Sequence, residues 1–224
     1  MPTVFGQALV RAQRGQPSNL TMEMEGGPSI PIDCTQFLTV RDEELRIVDR
    51  IVLGNSSAVL DIGCGIGRHL ATVRDRHPEV CLYGEDICDA LIEKLRKTFG
   101  GENCVFGKPS EDIRPQKIDL VMLTGNGLGV LGDQVSTVAN LDEICSRIPS
   151  GGTFWTETGN PFGEGFTSPR FTITDGDSID GPFAWGYASE SWITNELSRR
   201  GFDVEIVDSA APGGMFFHAV GTKR

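Results

Sequence analysis

From residue 58 onward, short apolar runs alternate with stretches of helical spacing, and this alternation constrains the fold more than any other feature. "AVLDIG" (58–63), "VCLYGED" (80–86), "NCVFG" (103–107), "IDLVMLTG" (118–125) and "TFWTET" (153–158) read as buried strands. Between them, "GRHLATVRDRHP", "CDALIEKLRKTFGG" (88–101) and "DQVSTVANLDEICSRIPSGG" (133–152) read as helices, stopped by Pro78, by paired glycines and by Pro-Ser-Gly-Gly. Strands alternating with helices predict an α/β fold, a parallel sheet covered by helices on both faces. Crossovers in such a sheet are right-handed. Ligands bind beyond the carboxyl ends of its strands. Further on, "SESWITNELSRRG" (189–201) reads as a helix, and "FDVEIVDSA" and "MFFHAVGTK" as two strands closing an antiparallel edge.

Two regions break the rhythm. Residues 1–54 predict an N-terminal helical cap or lid ahead of a main domain at 55–224. In that cap, "VFGQALVRAQRGQP" makes a short amphipathic helix ending near Gly15 and Pro17, and "EGGPSIPID" is a loop. "RDEELRIVDRIVL" is a helix ended by Gly54 and Asn55. Residues 159–188 show no steady period and form an insert on the substrate side. Its aromatic residues Phe162, Phe166, Phe171, Phe183, Trp185 and Tyr187 either roof a pocket or cover the sheet edge as plain core.

Composition removes several classes of function. The 224 residues carry 20 Lys and Arg against 31 Asp and Glu, a net charge of −11, with no basic run. Nucleic acid is therefore not an expected partner. No stretch approaches the roughly 18 to 20 apolar residues of a membrane span. The six cysteines are scattered through apolar runs without a C-x-x-C pair, and there are only three histidines. That pattern predicts no metal site and a reduced, cytoplasmic protein.

The strand at 58–63 runs into Gly63-Cys64-Gly65-Ile66-Gly67. Glycine permits positive φ and close backbone approach, and a helix beginning near Gly67 turns its free N–H groups toward the loop. A nicotinamide or flavin fingerprint would need its third glycine at position 68, which is Arg68. Glu85 and Asp86 end the next strand, about 20 residues on, where an acid can accept hydrogen bonds from ribose hydroxyls. Alternation along the strand groups Asp86 with Gly84 and Glu85 with Tyr83, which favours Asp86.

In order, "VLDIGCGIGRHL", "LYGEDICDALIEKLR", "IDLVMLTGNGLGVLGD" and "ICSRIPSGGTFWTE" resemble the successive motifs of class I S-adenosylmethionine-dependent methyltransferases, over roughly residues 55–224. "FGQALVRAQRG" also resembles the N-terminal helix of one bacterial, small-molecule-type subgroup. The resemblance implies a Rossmann-like sheet of seven strands with the last antiparallel, S-adenosyl-L-methionine as cofactor, and methyl transfer to a small-molecule acceptor in a setting such as specialised metabolism. It places Asp61, Gly63, Gly65 and Gly67 around the methionine part and Asp86 at the ribose. It places Ser110, Glu111 and Asp112 near the adenine, although Lys108 and Pro109 follow Gly107 where an aspartate is common. Thr124, Gly125 and Asn126 match the strand end that faces methionine and substrate. On the substrate side stand Asn126, Phe162, Phe183, Trp185 and Tyr187. His69 and His218, the latter on a predicted edge strand, are either general bases or structural residues. Two other readings are a methyltransferase fold used for a cyclisation or decarboxylation, and a non-catalytic binding module.

Overall fold

In the computed structural model, which describes residues 3–54, 57–101, 103–208 and 216–224, the alternation closes into one seven-stranded sheet. Strands β3 (Ala58–Ile62), β4 (Cys81–Glu85), β5 (Cys104–Gly107), β6 (Leu120–Leu123) and β7 (Thr153–Gly159) are parallel. With β12 (Phe202–Asp208) and β13 (Phe216–Lys223) the order is β12-β13-β7-β6-β3-β4-β5. From β3 the chain moves outward to β4 and β5, then returns to β6 on the other side. The crevice for a ligand therefore opens at the carboxyl end of β3.

Period-two burial divides the core. Leu60, Ile62, Val121, Leu123 and Phe154 face α5 (Gln134–Ser146) and α6 (Glu190–Ser198). Val59, Leu120, Met122 and Trp155 face α2 (Asp42–Arg50), α3 (Arg68–Arg76) and α4 (Asp89–Phe99). Helix α6 starts at Ser189, whose hydroxyl accepts from the Trp192 N–H. Helix α2 ends at Arg50, short of the predicted stop, and Asn55 lies outside the described residues, as do Ser209, Ala210 and Met215 of the two predicted C-terminal strands.

Three expectations are corrected. First, β13 is antiparallel as expected, but it lies between β7 and β12, so the edges of the sheet are β12 and β5 and β13 is not an edge strand. His218 is consequently interior, not on an edge strand. Second, the aperiodic insert contains β8 (Phe166–Thr167), β9 (Arg170–Asp175), β10 (Ser178–Ala184) and β11 (Tyr187–Ala188). Its short strands bury only alternate residues such as Phe171 and Ile173, a signal broken up by glycine and proline. Third, the N-terminal cap is only partly helical. Helix α1 (Thr3–Ala12) is followed by β1 (Thr21–Met24) and β2 (Ser29–Pro31), which form a hairpin out of the predicted loop.

Strand β1 pairs with β9, giving a four-stranded antiparallel sheet β10-β9-β1-β2 built from both irregular regions. Neither region can form this sheet alone, which explains why neither reads clearly in isolation. Helix α1 joins the cap sheet to the main domain. Its Val4, Ala8 and Leu9 share a core with Leu91 of α4 and Ile173 of β9. Gly6 allows the close approach, since a Cβ there would fall 2.6 Å from Cys88 Sγ. Asp180 of β10 caps α1 from 176 residues away, accepting from the Val4 N–H (2.5 Å) and the Thr3 hydroxyl (3.1 Å). Arg11 at the other end pairs with Asp175.

Loss of a helix-capping acceptor costs about 1 kcal/mol. Asp180→Ala should lower stability by about that amount and speed hydrogen exchange in α1 while leaving the β3–β7 amides protected. Unchanged exchange in α1 would show that its packing, not this cap, holds it.

Candidate active site

The loop after β3 is built on left-handed glycines: φ is +73° at Gly63, +55° at Gly65 and +77° at Gly67. It folds back on β4, where the Glu85 carbonyl accepts from the N–H groups of Gly63 (2.8 Å) and Cys64 (3.0 Å). The glycines serve different ends. A Cβ on Gly67 would fall 2.6 Å from Leu95, so that residue lets α3 and α4 pack. A Cβ on Gly65 would meet only Leu9 of α1, at 3.7 Å, so the loop is open there apart from the cap.

The two neighbouring acids separate cleanly. Glu85 is buried in a bidentate pair with Arg114, at 2.7 and 2.8 Å. Asp86 faces the glycine loop, accepting from the Gly65 N–H (3.1 Å) and the Cys88 N–H (2.9 Å). Burial pushes the Asp86 carboxyl up, and the backbone N–H groups of Cys88 and Gly65 oppose that. Asp61, on the α3 face of β3, is also buried, and its Oδ2 has no partner among the described residues. Burial raises its pKa to about 7 against the charge of Arg68.

At the end of β6, Thr124, Gly125 and Asn126 are half-buried. Asn126 is left-handed at φ +56°, and its buried Oδ1 lacks a partner among the described residues. The Gly125 N–H donates to Glu157 Oε2 (2.9 Å). The Thr124 hydroxyl lies 2.8 Å from His69 Nδ1, and His69 Nε2 lies 3.1 Å from Glu44 Oε1. Glu44 has no exposed surface. It accepts from both Nη atoms of Arg68 at 2.9 Å, and from the Arg41 backbone N–H (2.7 Å) and Nη2 (2.9 Å). Arg41 also reaches Glu157 (2.6 Å). Burial works to raise the Glu44 carboxyl, but His69, Arg68 and Arg41 outweigh it and hold the group well below the usual carboxylate range. His218 is elsewhere: its Nδ1 accepts from the Trp155 indole N–H (3.3 Å), and its Nε2 lies 4.0 Å from Glu43.

A cleft of about 290 Å³ lies between the main domain and the cap. Ile87, Gly129 and Val130 of the main domain line it together with Thr3, Asp180, Phe183 and Trp185. The Trp185 indole rests against Gly129, where a Cβ would overlap it. Ile87, which directly follows Asp86, lines the same cleft as Trp185 and Phe183. Tyr187 and Phe162 do not line this cleft; Tyr187 is buried, its hydroxyl pushed up to about 12 by burial, and exposed Phe162 packs on it at 5.6 Å. Ser110 and Glu111 are exposed beyond β5, with Glu111 paired to Arg96 at 2.9 Å, and neither lines the cleft. Sequence reasoning missed Arg41, Glu44, Glu157, Arg114 and Ile87. The only signal for Glu44 was its place in the charged "RDEE" opening of α2, which reads as a solvated helix start.

No protein-family model matches the sequence, and no curated protein matches it significantly. Solved structures match in shape. An S-adenosylmethionine-dependent methyltransferase from Bacteroides fragilis, in complex with S-adenosyl-L-homocysteine, aligns over 100% of this chain and 97% of its own, with TM-score 0.78 and 16% identity. An amino pentose methyltransferase from Micromonospora echinaspora involved in calicheamicin biosynthesis aligns over 81% of this chain and 91% of its own, with TM-score 0.55 and 19% identity. A glycopeptide N-methyltransferase complexed with sinefungin aligns over 82% and 86%, with TM-score 0.60 and 15% identity. The chain has the fold of S-adenosylmethionine-dependent methyltransferases.

The two acids should behave differently when replaced. Asp86→Ala should weaken S-adenosylhomocysteine binding by about 1.5–3 kcal/mol, the range for a hydrogen bond to a charged group, and should cost about 1–3 kcal/mol of stability because the Gly65 and Cys88 N–H groups lose their acceptor. Glu85→Ala should leave the half-buried Arg114 with Glu143 as its carboxylate partner and cost up to about 3–5 kcal/mol of stability. Calorimetry and thermal melting on both variants check this, and the reverse pattern would reassign the two residues.

Proposed function

We propose that this chain transfers a methyl group from S-adenosylmethionine to a small-molecule acceptor. The observation that carries the reading is the crevice itself: an open left-handed glycine turn faced by Asp86, at the switch point of a sheet with the methyltransferase strand order. The residues present suit the cofactor. Asp86 would hold the ribose hydroxyls, and Ile87, Val130 and Trp185 offer an apolar slot for a flat base. The unpartnered oxygens of Asp61 and Asn126 would accept from the methionine ammonium.

S-adenosylmethionine supplies a methyl group already activated on a positively charged sulfur, so the protein need provide no covalent nucleophile. What remains for the chain is to align the acceptor and exclude water. Helix α1 and the β10-β9-β1-β2 sheet stand over the crevice as a cover, the lid role expected of residues 1–54 and 159–188. A small acceptor accords with the amino pentose and glycopeptide enzymes of like fold. A cytoplasmic setting accords with six free cysteines.

Labelled methyl transfer to a panel of sugar amines, phenols and peptides tests the reading, alongside calorimetry. S-adenosylmethionine and S-adenosylhomocysteine should bind and nicotinamide dinucleotides should not. Tight dinucleotide binding with neither sulfur nucleoside bound would sink the assignment. Trp185 lines the same cleft as Ile87, so on this reading Trp185→Ala should lower cofactor affinity as well as turnover. Binding should also follow Asp61: its carboxyl ionises near pH 7, so affinity for the cationic ligand should rise from about pH 6 to about pH 8. Asp61→Asn should flatten that rise.

A further inference from the structure

Among the described residues the cluster of His69, Thr124 and Glu44 has a feature that structural packing does not require: a half-buried hydroxyl at the carboxyl end of β6 backed by a buried imidazole and a buried carboxylate. Chemistry fixes the direction of both hydrogen bonds. Glu44 receives four donors from Arg41 and Arg68 and is ionised, so it can only accept. His69 must then carry its proton on Nε2 and donate it to Glu44. Its Nδ1 is therefore a bare lone pair, and the Thr124 hydroxyl must donate to it. The remaining lone pairs of Thr124 Oγ1 are free to accept a proton from a donor arriving at the carboxyl end of β6.

We propose that Thr124 is a catalytic residue and His69 a positioning residue behind it, together relaying the proton that the methyl acceptor must lose, and that the acceptor is accordingly a hydroxyl or an ammonium rather than a thioether or a tertiary amine. The proposal rests on the methyl-transfer reading. In the step, the bond from methyl carbon to sulfur breaks, its electron pair stays on sulfur, and a bond forms from the acceptor oxygen or nitrogen to the methyl carbon. The acceptor's proton passes to Thr124 Oγ1 as the Thr124 hydroxyl proton passes to His69 Nδ1. The imidazolium so formed is held by Glu44 at Nε2. Release of that proton to solvent by the reverse route restores the resting state.

The surroundings keep His69 neutral until it is needed. Burial lowers its pKa; Glu44 of α2 and Glu157 of β7 oppose that, and Arg68 on its own helix adds to it. Arg41 lies beyond Glu44. The Trp155 ring packs edge-on to His69 at 5.4 Å and separates it from His218 of β13, with Glu43 beyond. Activity should therefore fall on the acid side at a pH below the ordinary histidine value of 6.5.

Two measurements test the relay. Nitrogen NMR of the full chain with isotope-labelled histidine, with the His69 signals assigned by loss in His69→Asn, should show the neutral Nε2–H tautomer at neutral pH. Thr124→Val should move the Nδ1 signal of His69. An Nδ1–H tautomer, or an imidazolium at neutral pH, overturns the proposal. The second measurement is labelled methyl transfer to phenol, catechol, tyramine and glucosamine. On each probe the wild type methylates, Thr124→Val and His69→Asn should lower kcat by roughly 100-fold, the scale of proton-transfer catalysis, a far larger fall than any change in affinity for S-adenosylhomocysteine. Thr124→Ser should restore most of the rate, and the acid limb of kcat should vanish in His69→Asn. Wild-type kcat in Thr124→Val overturns the proposal. If none of the four probes is methylated, the tautomer alone decides the arrangement. Failure to bind S-adenosylhomocysteine would instead condemn the methyl-transfer reading.

Discussion

A single carboxylate, Glu44, ties together the parts that make the crevice. It sits on a helix ahead of the main domain, yet it accepts from Arg68 and His69 at the start of α3 and from Arg41, which also reaches Glu157 at the end of β7. Three segments that converge on the carboxyl edge of the sheet are thereby fixed relative to one another. Burying so many charges is expensive unless each is paired. Here the guanidinium groups meet the carboxylates through multiple short bonds. Removing Glu44 would take a buried acceptor from Arg41, Arg68 and His69 at once, a loss larger than any surface ion pair could produce.

The same arrangement lets the crevice be rigid on one side and covered on the other. The floor is made by the glycine turn, Asp86 and the β6 end, anchored by backbone N–H groups that donate to the Glu85 carbonyl and to the Asp86 and Glu157 carboxylates. The cover is an independent small sheet whose strands come from both ends of the chain's irregular regions, joined to the floor through α1 and the Trp185 contact on Gly129.

The sheet was legible in the sequence because each central strand is an apolar run of four to seven residues and each crossover helix has one apolar face. The glycine turn and Asp86 were legible because backbone conformation and strand alternation restrict which residues can stand there. The position of β13 was not, since adjacency of "FDVEIVD" and "FFHAVGTK" suggests a terminal hairpin and nothing local says that the second strand inserts beside β7. The cap sheet was hidden for a related reason: the partner of "TMEM" lies about 150 residues away in "RFTITD". Glu44 looked like an exposed helix-start acid, because a buried carboxylate differs from a solvated one only in the arginines that the fold brings to it. Ser110 and Glu111, placed by motif position alone, lie outside the cleft because Lys108-Pro109 begins a short turn that carries them into solvent.

The most direct test of the account is a crystal structure of the full chain grown with S-adenosylhomocysteine. The account predicts the ribose hydroxyls on Asp86, the base between Ile87 and Trp185, and the methionine end over Gly65 toward Asp61 and Thr124. A ligand bound outside the carboxyl edge of β3 and β4, or one bound there with Asp86 still turned to the Gly65 N–H and away from the sugar, would contradict it.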